Sequence, residues 1–138
     1  MRHETQVTVR FGETDLLGHV NNVSYFTYLE HARIQFFKVL STEDIKDAWR
    51  FILASVKCDF LAQAYFDQTL TVTTTVSRIG NKSFDLAQSV FDSESGEPVA
   101  EGHSTIVYFD FQEQKSIPLI KELREKLEQY ANGLPKGD

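Results

Sequence analysis

Five residues able to build a reactive site fall within eight positions of the chain: Asp15, Gly18, His19, Asn21 and Asn22, in the stretch "FGETDLLGHVNN". A carboxylate can activate water as a general base, or attack a carbonyl itself through a mixed anhydride. The residues that follow read as the start of a helix, and a helix N-terminus presents unpaired N–H groups and a partial positive charge. Such amides are suited to an oxyanion that develops on a carbonyl under attack. Gly18 lets the backbone turn closely between the two. Taken singly, each residue also has a plainer reading. Asp15 is a turn or capping aspartate, His19 a hydrogen-bonding support for the loop, and Asn21 and Asn22 turn and cap residues. Tyr25 belongs either to an acyl pocket or to the core. Asp15, His19 and His31 lack the close, rigid spacing and third ligand of a zinc site, so no metal is expected.

The elements on either side must position this loop. Val7, Val9 and Phe11 alternate with polar residues, which predicts a strand before it. From about Asn22 to Leu40 the period changes: Tyr25, Leu29, Ala32, Phe36 and Val39 form one helical face. Tyr28, His31, Gln35 and Lys38 fall mostly off that face, Phe26 and Phe37 widen the apolar arc, and Glu30 with Arg33 reads as an i,i+3 surface pair. "STEDIKDAW" is a polar connection with room for a short helical turn. Then period two returns, around Ile52–Phe60, around Leu70–Val76, in "FDLAQSVFD" and in "AEGHSTIVYFDF", with turns at "RIGNKS" and "SESGEP". Arg78 and Lys82 flank the first of these turns, where cations are either solvated or placed to meet phosphates. His103 reads as structural. Residues 117 to about 131 predict a C-terminal helix with the stripe Ile120, Leu123, Leu127 and Tyr130, Ser116 as N-cap and Glu122–Lys126 as an i,i+4 pair. "NGLPKGD" reads as a frayed tail.

This order predicts an α+β fold: an antiparallel curved sheet wrapped around one long central helix, plus a C-terminal helix, in a single domain over residues 1–138. An open sheet edge and a helix apolar over a wide arc predict a homo-oligomer, either dimer or tetramer. The net charge of −6 argues against a general nucleic-acid binder. Cys58 is the only cysteine, so no internal disulfide forms, and its alternating neighbours make it a small buried hydrophobe. The N-terminal "MRHETQVTVRF" has no apolar signal-peptide core, and no apolar run approaches the ~20 residues that span a bilayer. A cytoplasmic protein with no membrane insertion is expected.

The stretch "VRFGETDLLGHVNNVSYFTYLEHARIQFF" resembles the opening of the hotdog-fold acyl-CoA thioesterases of the 4-hydroxybenzoyl-CoA thioesterase family. The likeness continues through "LTVTTTVSRIGNKSFDLAQSVFD" and "PVAEGHSTIVYFD", covering roughly residues 5 to 111. Its most specific part is the spacing of Asp15, Gly18, His19, Asn21, Asn22 and Tyr25 before "YLEHAR". The resemblance implies hydrolysis of a fatty-acyl-CoA or aryl-CoA to free acid and CoA. No cofactor is implied, coenzyme A being part of the substrate. It maps the catalytic carboxylate onto Asp15 and the oxyanion amide onto Asn22, with His19 beside them. Gly18, Val20, Asn21 and Tyr25 would meet the substrate, and Arg78 and Lys82 the nucleotide end of CoA. Two departures stand out. Ala64 replaces a proline common in relatives, which touches the local loop shape. "GHVNN" differs from aryl-CoA relatives, in which bulkier residues follow the glycine. A hotdog hydratase, a non-catalytic acyl-CoA-binding protein and an acyl-carrier-protein thioesterase are the competing readings.

Overall fold

Runs of alternating β-branched and polar residues become strands where a neighbour can pair with them. A computed structural model of the protein, which describes residues 1–41 and 50–131, contains strands β1 (His3–Thr8), β2 (Phe51–Phe60), β3 (Thr69–Ile79), β4 (Ser83–Asp92), β5 (Pro98–Asp110) and β6 (Lys115–Ser116), with helices α1 (Asn22–Leu40) and α2 (Lys121–Gln129). The expected polar connection after Ser41 and the frayed tail lie outside the described residues. The strands pair antiparallel in the order β1-β3-β4-β5-β2, with β6 added to β5. β1 and β2 are thus opposite edges, and α1, which lies between them in sequence, must cross the face of the sheet. This is the expected hotdog arrangement.

The central helix runs over the residues its period predicts. Asn21 caps it by accepting the Ser24 N–H at 2.9 Å, and the Ser41 N–H and hydroxyl close the other end on the Phe37 carbonyl. Tyr25, Leu29, Ala32 and Phe36 are buried as expected, with Leu40 in the place foreseen for Val39. The buried arc is wider than the stripe, because the helix meets strands at both edges of the sheet, β1 with its neighbour β3 and, opposite, β2, where the Phe37 and Phe51 rings stack at 4.7 Å. Tyr28, expected off the face, is buried. Arg33, expected at the surface, is only 4% exposed. It forms no ion pair with Glu30; its Nη1 is buried and bonded to no described residue. Burial lowers the Arg33 pKa, and the nearby Glu30 charge works against that shift.

A buried polar tie joins helix to sheet: Gln88 Nε2 donates to the Leu29 carbonyl at 3.2 Å and to Thr74 Oγ1 at 3.1 Å. Beside it Gly102 leaves room for Leu29, since a Cβ there would stand 2.6 Å from Leu29 Cδ1. Gly102→Val should therefore overpack the core and destabilise the fold by about 1–3 kcal/mol. A lower urea midpoint at unchanged m-value is the expected reading.

Two element ends differ from expectation. β1 stops at Thr8, not at Phe11, because the Arg10 N–H turns away to Glu13 Oε1 and Phe11–Glu13 form a single 3-10 turn. Phe11 is left 77% exposed. α2 starts at Lys121, not after Ser116. Ser116 pairs with Phe109 in β6, and the Ile117 and Leu119 amides go to the Tyr108 and Asn81 carbonyls. Pro118 also disfavours a helical Ile117. Lys126 donates to the Val39 carbonyl at 3.0 Å, so it fastens α2 to α1 in place of the expected Glu122 pair. The i,i+4 pair found on α2 is Lys121–Glu125. Leu123 and Leu127 are buried in the cluster around Phe36, Phe37 and Leu40, so α2 closes the far end of the core.

Candidate active site

The loop between β1 and α1 is a small hairpin. The Asn21 N–H donates to the Glu13 carbonyl at 2.9 Å, Thr14 bridges Val20, and the Asp15 N–H donates to the His19 carbonyl at 2.7 Å. Leu16, Leu17 and Gly18 form the turn, with Gly18 at φ +79°, a conformation that suits glycine. Asp15 therefore stands two residues, roughly 7 Å of strand, from the level at which the chain enters α1.

Asp15 is exposed, and its Oδ1 accepts the Leu17 and His19 amides at 2.8 and 3.1 Å. Both bonds fix the carboxylate on its own loop. Oδ2 accepts nothing from a described residue and remains open to a water or a carbonyl carbon. His19 lies edge-on to Tyr65 with ring centroids 5.2 Å apart. In α1 the Asn21 side chain and carbonyl take the Ser24 N–H. The amides of Asn22 and Val23 are left without an intrahelical acceptor, as geometry requires of a first turn.

Next to them is an open cleft of about 320 Å³ lined by Asn22, Tyr25, Phe60, Leu61, Ala62 and Gln63. The segment after β2 reaches this place because the Val20 N–H donates to the Ala64 carbonyl at 2.8 Å. Ala64 is fully buried, so this position is a tie point of the loop. Tyr25 is buried, with its ring against Phe60 at 5.4 Å and its hydroxyl 3.4 Å from the Ala62 carbonyl. Burial raises its pKa. The structure thus brings Asp15, Gly18, His19, Val20, Asn21, Asn22 and Tyr25 into one region.

Arg78 and Lys82 are not brought there. The loop borders the Thr69 end of β3, since Thr8 pairs with Thr69, and Arg78 is nine residues along that strand, roughly 30 Å away. Both oxygens of Asp85 hold the Arg78 guanidinium, at 2.8 and 3.0 Å, and Thr105 donates to the same carboxylate.

Sequence reasoning passed over Glu13, whose carboxylate accepts the Arg10 N–H, the Arg10 side chain and the Tyr28 hydroxyl. The opposite charges at Arg10 and Glu13, three apart at a turn, were the available signal. Burial alone would raise the Glu13 pKa; the bonds from the Arg10 backbone, the Arg10 side chain and Tyr28 outweigh it and hold the pKa below the ordinary 4.5. A depressed carboxylate stabilises the fold above its unfolded pKa and loses that contribution as pH falls through its folded value. The difference in Tm between the native protein and Glu13→Gln should accordingly be full near neutrality and shrink below about pH 4.5. A constant difference between about pH 3 and 7 would contradict this assignment.

Among the described residues no group of three or more His, Cys, Asp or Glu is gathered for a metal, and no helix is long and apolar enough to cross a membrane.

A family model described as the thioesterase-like superfamily matches residues 9–127. The chain is 32% identical over 132 residues to the long-chain acyl-CoA thioesterase FadM of Escherichia coli, across 91% of this chain and 97% of that protein. Its fold superposes on a predicted thioesterase from Bacillus stearothermophilus with TM-score 0.88 and 31% identity, over 98% of this chain and 100% of the other. It also matches a Thermus thermophilus thioesterase complexed with coenzyme A and Zn, at TM-score 0.79 and 28% identity, over 90% and 95% of the two chains. With the family model spanning most of its length, the chain belongs to the thioesterase-like superfamily, as a hotdog-fold hydrolase of thioesters.

Proposed function

We propose that this protein hydrolyses an acyl-CoA, with Asp15 as general base or nucleophile and the Asn22 amide as oxyanion donor. The observation that carries the reading is the pairing of the Asp15 arm with the chain that enters α1. It sets an open carboxylate oxygen two residues of paired chain from the entry to α1, where the cap leaves an amide unused. In the general-base route, water attacks the thioester carbon as Asp15 takes its proton. The oxyanion collapses, the C–S bond breaks and the CoA thiolate leaves to be protonated. In the nucleophile route, an Asp15 oxygen bonds to the thioester carbon, the C–S bond breaks and the CoA thiolate leaves to be protonated; water then cleaves the anhydride to the free acid and the Asp15 carboxylate. The cleft beside Asn22 and Tyr25 would take the acyl group near the carbonyl. The long-chain activity of the Escherichia coli relative supports a fatty-acyl substrate, and the CoA held by the Thermus thermophilus neighbour supports CoA as carrier. Thiol release from a panel of fatty-acyl-CoA and aryl-CoA esters tests this; no release from any of them would overturn it.

The same reading gives the protein a partner in a second copy. β2 is an edge strand among the described residues, and Leu53 and Phe60 on it, with Val23, Phe26 and Ile34 on α1, leave apolar surface in water. A second copy would cover that surface and could supply an acceptor to the buried Arg33. If Arg78 and Lys82 meet CoA phosphates, they do so for a CoA held between copies. Sedimentation at micromolar concentration should show a dimer or larger; a lone 15.8 kDa species would contradict it.

A further inference from the structure

We propose that Glu13 and Tyr28 are positioning residues that together fix the angle between the loop carrying Asp15 and the start of α1. The inference rests on the reading of Asp15 and the Asn22 amide as the reacting pair. Catalysis by that pair needs both groups held to within roughly 0.5 Å of one geometry. The hairpin is fastened to α1 at two places, and both run through Glu13. Its carbonyl accepts the Asn21 N–H at 2.9 Å, at the mouth of the helix. Its carboxylate Oε1 accepts the Tyr28 hydroxyl at 2.9 Å. Tyr28 lies seven residues beyond Asn21, about 10 Å along the helix axis. One tie would leave a hinge at Asn21, about which the Asp15 arm could swing. The second tie, two turns further along, removes that freedom.

Glu13 cannot readily turn to another partner. Oε1 also accepts the Arg10 N–H at 2.8 Å, and Oε2 takes the Arg10 Nε and Nη2 at 3.1 and 2.8 Å. Its side chain is only 13% exposed. The Tyr28 hydroxyl bonds to Glu13 alone among the described residues, and the Tyr28 ring lies edge-on to Tyr25 at 6.1 Å. Tyr25 in turn lines the cleft. Glu13 and Tyr28 thus connect the base, the helix start and the cleft wall, and neither lines the cleft beside Asn22 and Tyr25.

Tyr28→Phe keeps the ring and its packing and removes only the outer tie. It should lower kcat about 10- to 100-fold with KM within about 2-fold, because a small misplacement acts on the transition state and leaves ground-state binding alone. Glu13→Gln, which keeps an acceptor oxygen for Tyr28, should lose less than Glu13→Ala. The deciding experiment is a cycle with Asp15→Asn, read in single turnover at excess enzyme. On the Asp15→Asn background no base is left to position, so Tyr28→Phe should cost less than about 2-fold. An equal loss in both backgrounds would show that Tyr28 acts through the fold and would overturn the proposal. A Tyr28→Phe protein with native kcat would also overturn it, and a crippled Asp15→Asn would then leave the proposed function standing. A fully active Asp15→Asn would remove both. Should Tyr28→Phe fail to fold, Glu13→Ala, which removes the acceptor of the Tyr28 hydroxyl, is read in the same cycle with the same criteria.

Discussion

Asp15→Asn is expected to lower kcat by roughly 10²–10⁴-fold, as befits loss of a general base. The fold should be unchanged. Asn has the size of Asp, and its carbonyl oxygen can still accept the Leu17 and His19 amides that now hold Oδ1. What disappears is the negative charge and the proton acceptor at the open oxygen. The loss is larger if Asp15 is the nucleophile, because no anhydride can then form. KM should change little, since Asp15 is exposed on the loop and does not line the cleft that would take the acyl group. His19→Ala should cost less. Its ring packs on Tyr65, and it is its backbone N–H that reaches Asp15, an atom the substitution retains. Equal loss for both variants would give His19 a proton-transfer role in place of loop support.

Phe36→Ala is expected to be the largest stability change, about 3–5 kcal/mol for an aromatic removed from a core. Phe36 is fully buried in the C-terminal third of α1. Its ring meets His3 of β1 at 5.8 Å and Tyr130, just past α2, edge-on at 5.0 Å. The side chain therefore links the central helix to one sheet edge and to the C-terminal segment. Tm should fall by roughly 10 °C or more for a chain of this size. Activity per folded molecule at low temperature should survive, because Phe36 lies about 21 Å along the helix from Asn22. A drop below 1 kcal/mol would mean that the site collapses with ease and that the helix is anchored elsewhere.

The parts of the fold written in the sequence are those with a period or a cap. α1 was legible from Asn22 to Leu40 because its apolar spacing is helical and Asn21 precedes it; the strands were legible from their alternation. The parts that were not depend on contacts between distant residues. Nothing in "VRFGE" says that Arg10 turns its amide to Glu13 and ends β1, and nothing in "YLEHAR" says that Arg33 is buried. α2 begins late because Ile117 and Leu119 give their amides to Tyr108 and Asn81, partners brought close only by the folded sheet. The site divides in the same way. Asp15, Gly18, His19, Asn21 and Asn22 are contiguous and could be read together. Phe60, Leu61 and Gln63 join them through long-range contacts, Val20 to Ala64 and Tyr25 to Ala62 and Phe60, which leave no periodic trace. The expectation that Arg78 and Lys82 meet CoA phosphates rests on two cations flanking one turn. Asp85, opposite Arg78 in the β3–β4 register, already engages the first of them.

The central claim is that one thioester meets both the Asp15 carboxylate and the Asn22 amide. It is tested most directly by a crystal structure of the Asp15→Asn protein with an intact acyl-CoA bound, the slow variant keeping the substrate whole. The account predicts the thioester oxygen about 2.7–3.1 Å from the Asn22 nitrogen. It also predicts the side chain at position 15 beside the carbonyl carbon, either in contact with it or bridged by one water. A thioester seated away from both, with its oxygen held by other donors, would contradict the account.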